Sequence, residues 1–184
     1  NPDLTATGAI AALKADSQSS PLYASTYNLG PTGLRGWIFI DRNNKGDEGL
    51  MTDPSRQILV THLGTSTPAV GVLAVDDVIL GVAWGASDGA VPNFISDCRK
   101  SLCWAIGEAE KTENAGVLRV KRWRAGVTSE VQLTLPVMGT YSTTAPYNCP
   151  KSASILANAI PILQAESLTS DWKGAVGALV TASR

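Results

Sequence analysis

Apolar and polar positions along this 184-residue chain fall into short blocks that read as separate elements. The Ala-rich stretch 3–15 predicts a short helix with Leu4, Ile10 and Leu13 as its apolar positions, which "SQSSP" (17–21) breaks. The unbroken apolar run "WIFI" (37–40) predicts a strand behind the glycine-rich stretch "NLGPTGLRG". A polar excursion (41–56) separates it from the strands "QILVTHL" (57–63) and "DDVILGVAW" (76–84), which are joined by a turn and one helical turn. The segment 96–111 predicts an amphipathic helix capped by Ser96 or Asp97, with Leu102, Ala105, Ile106 and Ala109 on one face. Two further strands follow at 117–123 and 128–135; in the second, Val131, Leu133 and Leu135 alternate with Gln132 and Thr134.

After Pro136 the pattern changes. A linker-like stretch (139–148) leads to a helix over 149–168 with Pro150 at its start and Pro161 where a bend or interruption is expected. Asp171 then caps a last helix carrying Trp172, Val176, Leu179 and Val180 on one stripe. The predicted organisation is an N-terminal helix and linker (1–26), a sheet domain (27–137) and a helical hairpin (138–184) that opens a larger helical region. A short echo between "GAIAAL" (8–13) and "GAVGAL" (174–179) hints at a repeat.

Charge changes the picture by exclusion. With 15 Lys and Arg against 16 Asp and Glu, the chain lacks the net positive field on which nucleic-acid and anionic-membrane binding rely. No apolar run is long enough to span a bilayer, and the first residues carry no basic signal-peptide region. Cys98, Cys103 and Cys149 form no CxxC pair, and the first two sit five apart on one helix, so all three are expected as small buried residues.

Candidate chemistry is thin. His62 is the sole histidine, and it alternates with Ile58 and Val60 on a strand; no G-x-S-x-G elbow accompanies it. "DRNNKGD" places Asp41, Asn43 and Gly46 at calcium-loop positions, but Lys45 and Thr52 stand where an acid or amide and a bidentate Glu are needed. Asp76 and Asp77 are neighbours on a strand and point to opposite faces, so one reads as a turn cap and the other as a solvated charge. "RVKRWR" (119–124) reads as a solvated strand face. The reading is therefore not an enzyme, with no cofactor, no metal, no nucleic acid and no membrane.

Three stretches in order carry a resemblance: "GLRGWIFI", then "ILVTHLGTSTPAVGVLAVDDVILGV", then "SLCWAIGEAEK" with "GVLRVKRW". Together they resemble a bacterial PDZ domain over residues 27–137. The whole chain is similar to the front of a large bacterial family joining such a domain to a helical region of α/α-toroid type. The resemblance implies an α+β fold: a partly open β-sandwich or barrel of five to six strands capped by two helices. It also implies an exported (periplasmic or extracellular) setting and a peptide or protein partner bound by strand addition. Asp76 departs from it, standing where the family pattern has glycine.

Carried onto this chain, the peptide site comprises Leu34, Arg35, Gly36, Trp37, Ile38 and Phe39, with Arg99, Cys103 and Ile106 on the facing helix. The amides of Arg35, Gly36 and Trp37 would converge on a terminal carboxylate, with Arg35 adding a charge-assisted contact. Trp37 and Phe39, or Ile38 and Ile40, would floor the side-chain pocket. The alternative expectation is a structural docking module whose groove is filled from within, by 41–56, 85–95 or its own C-terminal helices.

Overall fold

The computed structural model describes residues 3–15, 26–38 and 56–169, with side chains left undescribed at 163 and 165–169. Phe39, Ile40, the polar excursion 41–55 and the helix expected from Asp171 lie outside the described residues. The chain divides into two units, Asn1–Val137 and Met138–Arg184.

The first unit is α+β. Helix α1 (Ala9–Ala15) precedes strands β1 (Tyr27–Asn28), β2 (Leu34–Trp37), β3 (Ile58–Leu63) and β4 (Val78–Trp84). Helix α2 (Cys98–Ala109) and strands β5 (Val117–Arg124) and β6 (Val127–Thr134) complete it. The strands form one open antiparallel sheet in sequential order, rather than the sandwich or barrel expected from the sequence. Sequential antiparallel neighbours need only tight turns. The turn between β5 and β6 is two residues, Ala125 and Gly126, both at positive φ, which matches the twist of the flanking strands.

Both faces of the sheet are covered, which explains the unbroken apolar runs. Ile58 and Val60 enter the main core beneath α2, while Leu59 between them enters a smaller cluster on the other face. β4 repeats the division, with Ile79 and Val82 facing α2 and Val78 and Leu80 facing away. α2 buries Cys98, Leu102, Ala105 and Ala109, and Asp97 caps it by accepting from the Arg99 N–H. The smaller cluster gathers Leu4, Trp37, Leu59 and Val78, against which Ile10 and Leu13 of α1 pack.

α1 begins at residue 9 rather than 3. Leu4 is instead pinned in a turn, its N–H donating to Gln57 Oε1 at 2.8 Å while Gln57 Nε2 donates to Asp3 Oδ1 at 2.9 Å. The first unit thus begins upstream of residue 27.

The adjacent carboxylates have separate fates. Asp77 is buried, accepts from the Ala74 N–H, and takes both Nε and Nη2 of Arg124 at 2.6 and 2.7 Å. The turn before β4 is thereby tied to the end of β5. Asp76 holds a left-handed φ of 76°, the conformation that makes glycine the easy choice there, and pairs with Lys14 at the surface.

In the second unit, α3 spans Pro150–Thr169 and continues through Pro161. The carbonyl that Pro161 leaves without an N–H belongs to exposed Ala157, so water can satisfy it and the helix is not forced to stop there.

Asp77→Ala strands the Ala74 N–H and removes both bonds of the Arg124 fork. It is expected to lower stability by about 2 kcal/mol, read as a lower urea midpoint at unchanged slope. Asp76→Gly exchanges an exposed ion pair for relief of positive φ and is expected to shift stability by less than about 0.5 kcal/mol.

Candidate functional site: the flank of β2 facing α2

The glycine-rich stretch before β2 is a tight, internally bonded turn. Gly30 N–H donates to Asn28 Oδ1, Gly33 N–H to the Gly30 carbonyl, and Leu34 N–H to Thr32 Oγ1. Thr32 is buried, and its hydroxyl donates to the Leu29 carbonyl. Gly30 and Gly33 both lie at positive φ, and a Cβ on Gly33 would overlap Thr67. The Gly33 carbonyl accepts from Gly64 and the Thr32 carbonyl from Ala69, anchoring the turn to the segment after β3.

This turn folds residues 27–29 back along β2. Leu29 N–H donates to the Leu34 carbonyl at 2.9 Å, and the register continues with Asn28 opposite Arg35 and Tyr27 opposite Gly36. Hydrogen-bonded and non-bonded pairs alternate in an antiparallel ladder, which makes Tyr27 and Gly36 the next bonded pair. On its other side, β2 pairs Arg35 with His62, Gly36 with Val60 and Trp37 with Leu59, with a register shift between Arg35 and Gly36. Arg35 and Gly36 therefore have strand neighbours on both sides.

The same short segment reaches α2. The Arg99 guanidinium lies 5.8 Å from the Tyr27 ring centroid, and a Cβ on Gly30 would sit 3.8 Å from Ile106 Cδ1. Tyr27 thus pairs with β2 through its backbone and meets Arg99 of α2 through its ring, and Gly30 lies near Ile106. Arg99 is held there by Asp97, which accepts from its Nε and Nη2 and raises the guanidinium pKa further. Burial alone would raise the Asp97 pKa, but hydrogen bonds and charge from Arg99 outweigh it and hold the carboxyl below its ordinary value.

The residues expected to form a peptide site are distributed as follows. Leu34 and Ile38 belong to the main core, and Trp37 to the cluster on the opposite face. Phe39 lies outside the described residues. Arg35 is exposed, and its guanidinium donates to the Thr26 carbonyl at 3.1 Å and to Thr26 Oγ1 at 2.9 and 3.0 Å. Arg99 and Ile106 do lie on one stripe of α2, with exposed Cys103 between them. A side chain on Gly36 would point into the core, its Cβ 2.6 Å from Ile58 Cγ2 and 3.0 Å from Leu29 Cδ1, rather than into the slot. His62 is exposed, with Nδ1 beside Thr61 Oγ1.

The second unit holds a feature that spacing in the sequence did not mark. Cys149 is the N-cap of α3, its carbonyl accepting from Ala153 N–H. The Ser152 hydroxyl, the Ser142 N–H and the Ser152 N–H all donate to the sulfur and bring its pKa down to about 6. Cys98 is the opposite case: burial beneath α2 pushes its thiol up to about 12.

No protein-family model matches the chain, and neither the curated proteins nor the solved structures include a significant match. Among the described residues, no helix is long and apolar enough to cross a membrane, and no three His, Cys, Asp or Glu side chains gather as metal ligands would.

Gly36→Val forces a branched side chain against Ile58 and Leu29. It is expected to cost about 1–3 kcal/mol of stability, measured by denaturant unfolding. In a Cys103→Ser background, the thiolate absorbance of buried Cys149 at about 240 nm is expected to rise with a midpoint near pH 6. Because its folded pKa lies below the unfolded one, the contribution of Cys149 to stability is full above about pH 9 and lost as pH falls through about 6.

Proposed function

We propose that residues 27–137 form a non-catalytic PDZ-like module that performs strand addition on itself and serves as a structural docking unit within a larger exported bacterial protein. The observation that carries this reading is the pairing of Tyr27 with Gly36 and of Asn28 with Arg35. Strand-addition recognition needs an unpaired backbone edge beside a helix. On this chain Tyr27 and Asn28 pair with β2, and the Tyr27 ring meets Arg99 of α2, which supports a self-filled edge. The Arg35 side chain, the natural partner for an incoming carboxylate, is already spent on Thr26.

The remaining function is then mechanical: the module presents a pre-formed surface for docking.

A library of peptides with free C-termini is expected to give no binder tighter than about 100 μM to the intact chain, by fluorescence polarisation. A peptide bound at low micromolar affinity, with chemical-shift changes centred on Arg35 and Gly36, would sink the closed-slot reading in favour of open peptide recognition.

A further inference from the structure

We propose that Thr26–Asn28 is a releasable self-ligand, and that its release opens a slot for an extended peptide carrying an aromatic residue where Tyr27 now lies. The inference rests on the closed-slot reading and adds a regulated partner to it.

The contacts of the segment divide sharply at Leu29. Downstream, the chain is fixed: Leu29 is 6% exposed in the main core, its N–H donates to Leu34, and its carbonyl accepts from buried Thr32. Upstream, β1 is two residues long, Asn28 is exposed and Tyr27 is only partly buried. The bonds from Arg35 to Thr26 lie in solvent, and the ring of Tyr27 meets Arg99 at 5.8 Å. Exposed bonds of this kind contribute about 0.5–1.5 kcal/mol each, so the arm can open while the core stays folded.

Release exposes the edge of Arg35 and Gly36 and frees the Arg35 guanidinium, which then meets a second chain as it met Thr26. The present occupant defines the chemistry of the replacement. A peptide entering antiparallel to β2 would set a small hydroxyl residue under Arg35, with the following aromatic ring against Arg99. The wall that Ile106 and Leu29 form stays in place, so the ligand stops where Asn28 stands.

The probe is a fluorescein-labelled synthetic peptide of this chain's own residues 21–28, PLYASTYN. In the wild-type protein, the amides of Tyr27 and Gly36 are expected to exchange hydrogen at least about 100-fold faster than that of Val60, whose N–H donates to the Asp77 carbonyl. Exchange of all three at one rate would mean that the arm opens only with global unfolding, and would overturn the proposal. Tyr27→Pro, which cannot donate to Gly36, is expected to bind the peptide more tightly than wild type by the factor by which the Gly36 amide of wild type is protected from exchange, because only the open fraction of wild type is competent. A folded Tyr27→Pro with fast Gly36 exchange and no peptide affinity would overturn the self-ligand and leave the closed slot standing. Equal affinity in wild type and variant would instead overturn the closed slot. If Tyr27→Pro does not fold, Thr26→Val, which removes the hydroxyl that Arg35 holds and leaves Arg35 in place for the peptide, decides by the same two readouts.

Discussion

A strand in the body of a sheet must have both rows of its backbone groups satisfied, and β2 meets that demand with two residues of its own chain. The turn at Gly30–Thr32 brings Tyr27 and Asn28 back along it, and β3 completes the other side. Leaving that edge open would set unpaired N–H and C=O groups beside a helix, a template for any extended chain. Closing it needs only a short arm because the turn is already held by buried Thr32 and by the Gly33 and Thr32 carbonyls. The functional reading follows from this pairing.

The elements themselves were plain from the pattern of residues. Strands β3 to β6 and helix α2 fall within a residue or two of their expected bounds, because each carries a run long enough to show its period. The continuous runs in β3 and β4 were legible as buried strands, yet their cause, a sheet covered on both faces, appears only once α1 and α2 are placed. The pattern overextends α1 because Leu4 reads as one more apolar position of the Ala-rich stretch, while its real partners are Gln57, Trp37 and Leu59.

The site was less legible. Two residues, "YN", carry no periodicity, so the pattern does not show β1, and longer segments look the better candidates to fill the slot. Gly36 looked like room for a ligand when it is room for Ile58 and Leu29. The bond between Asp77 and Arg124 joins positions 47 apart, and no local signal marks such a pair. Cys149 likewise owes its low pKa to amides and a hydroxyl brought together by the start of α3. The departure at Asp76 was visible as an oddity, and the left-handed φ there supplies its meaning.

Everything said of function depends on Asn28 and Arg35 facing each other as a non-hydrogen-bonded pair. Such pairs bring opposite Cα atoms to about 4.5 Å, close enough for their α-protons to exchange magnetisation strongly. A nuclear Overhauser spectrum of the labelled chain in water reads this directly. A strong cross-peak between the α-protons of Asn28 and Arg35 is the result this account predicts. Its absence, with the α-protons of β3 and β4 still showing their own cross-strand contacts, would leave β2 with an open flank and contradict the account.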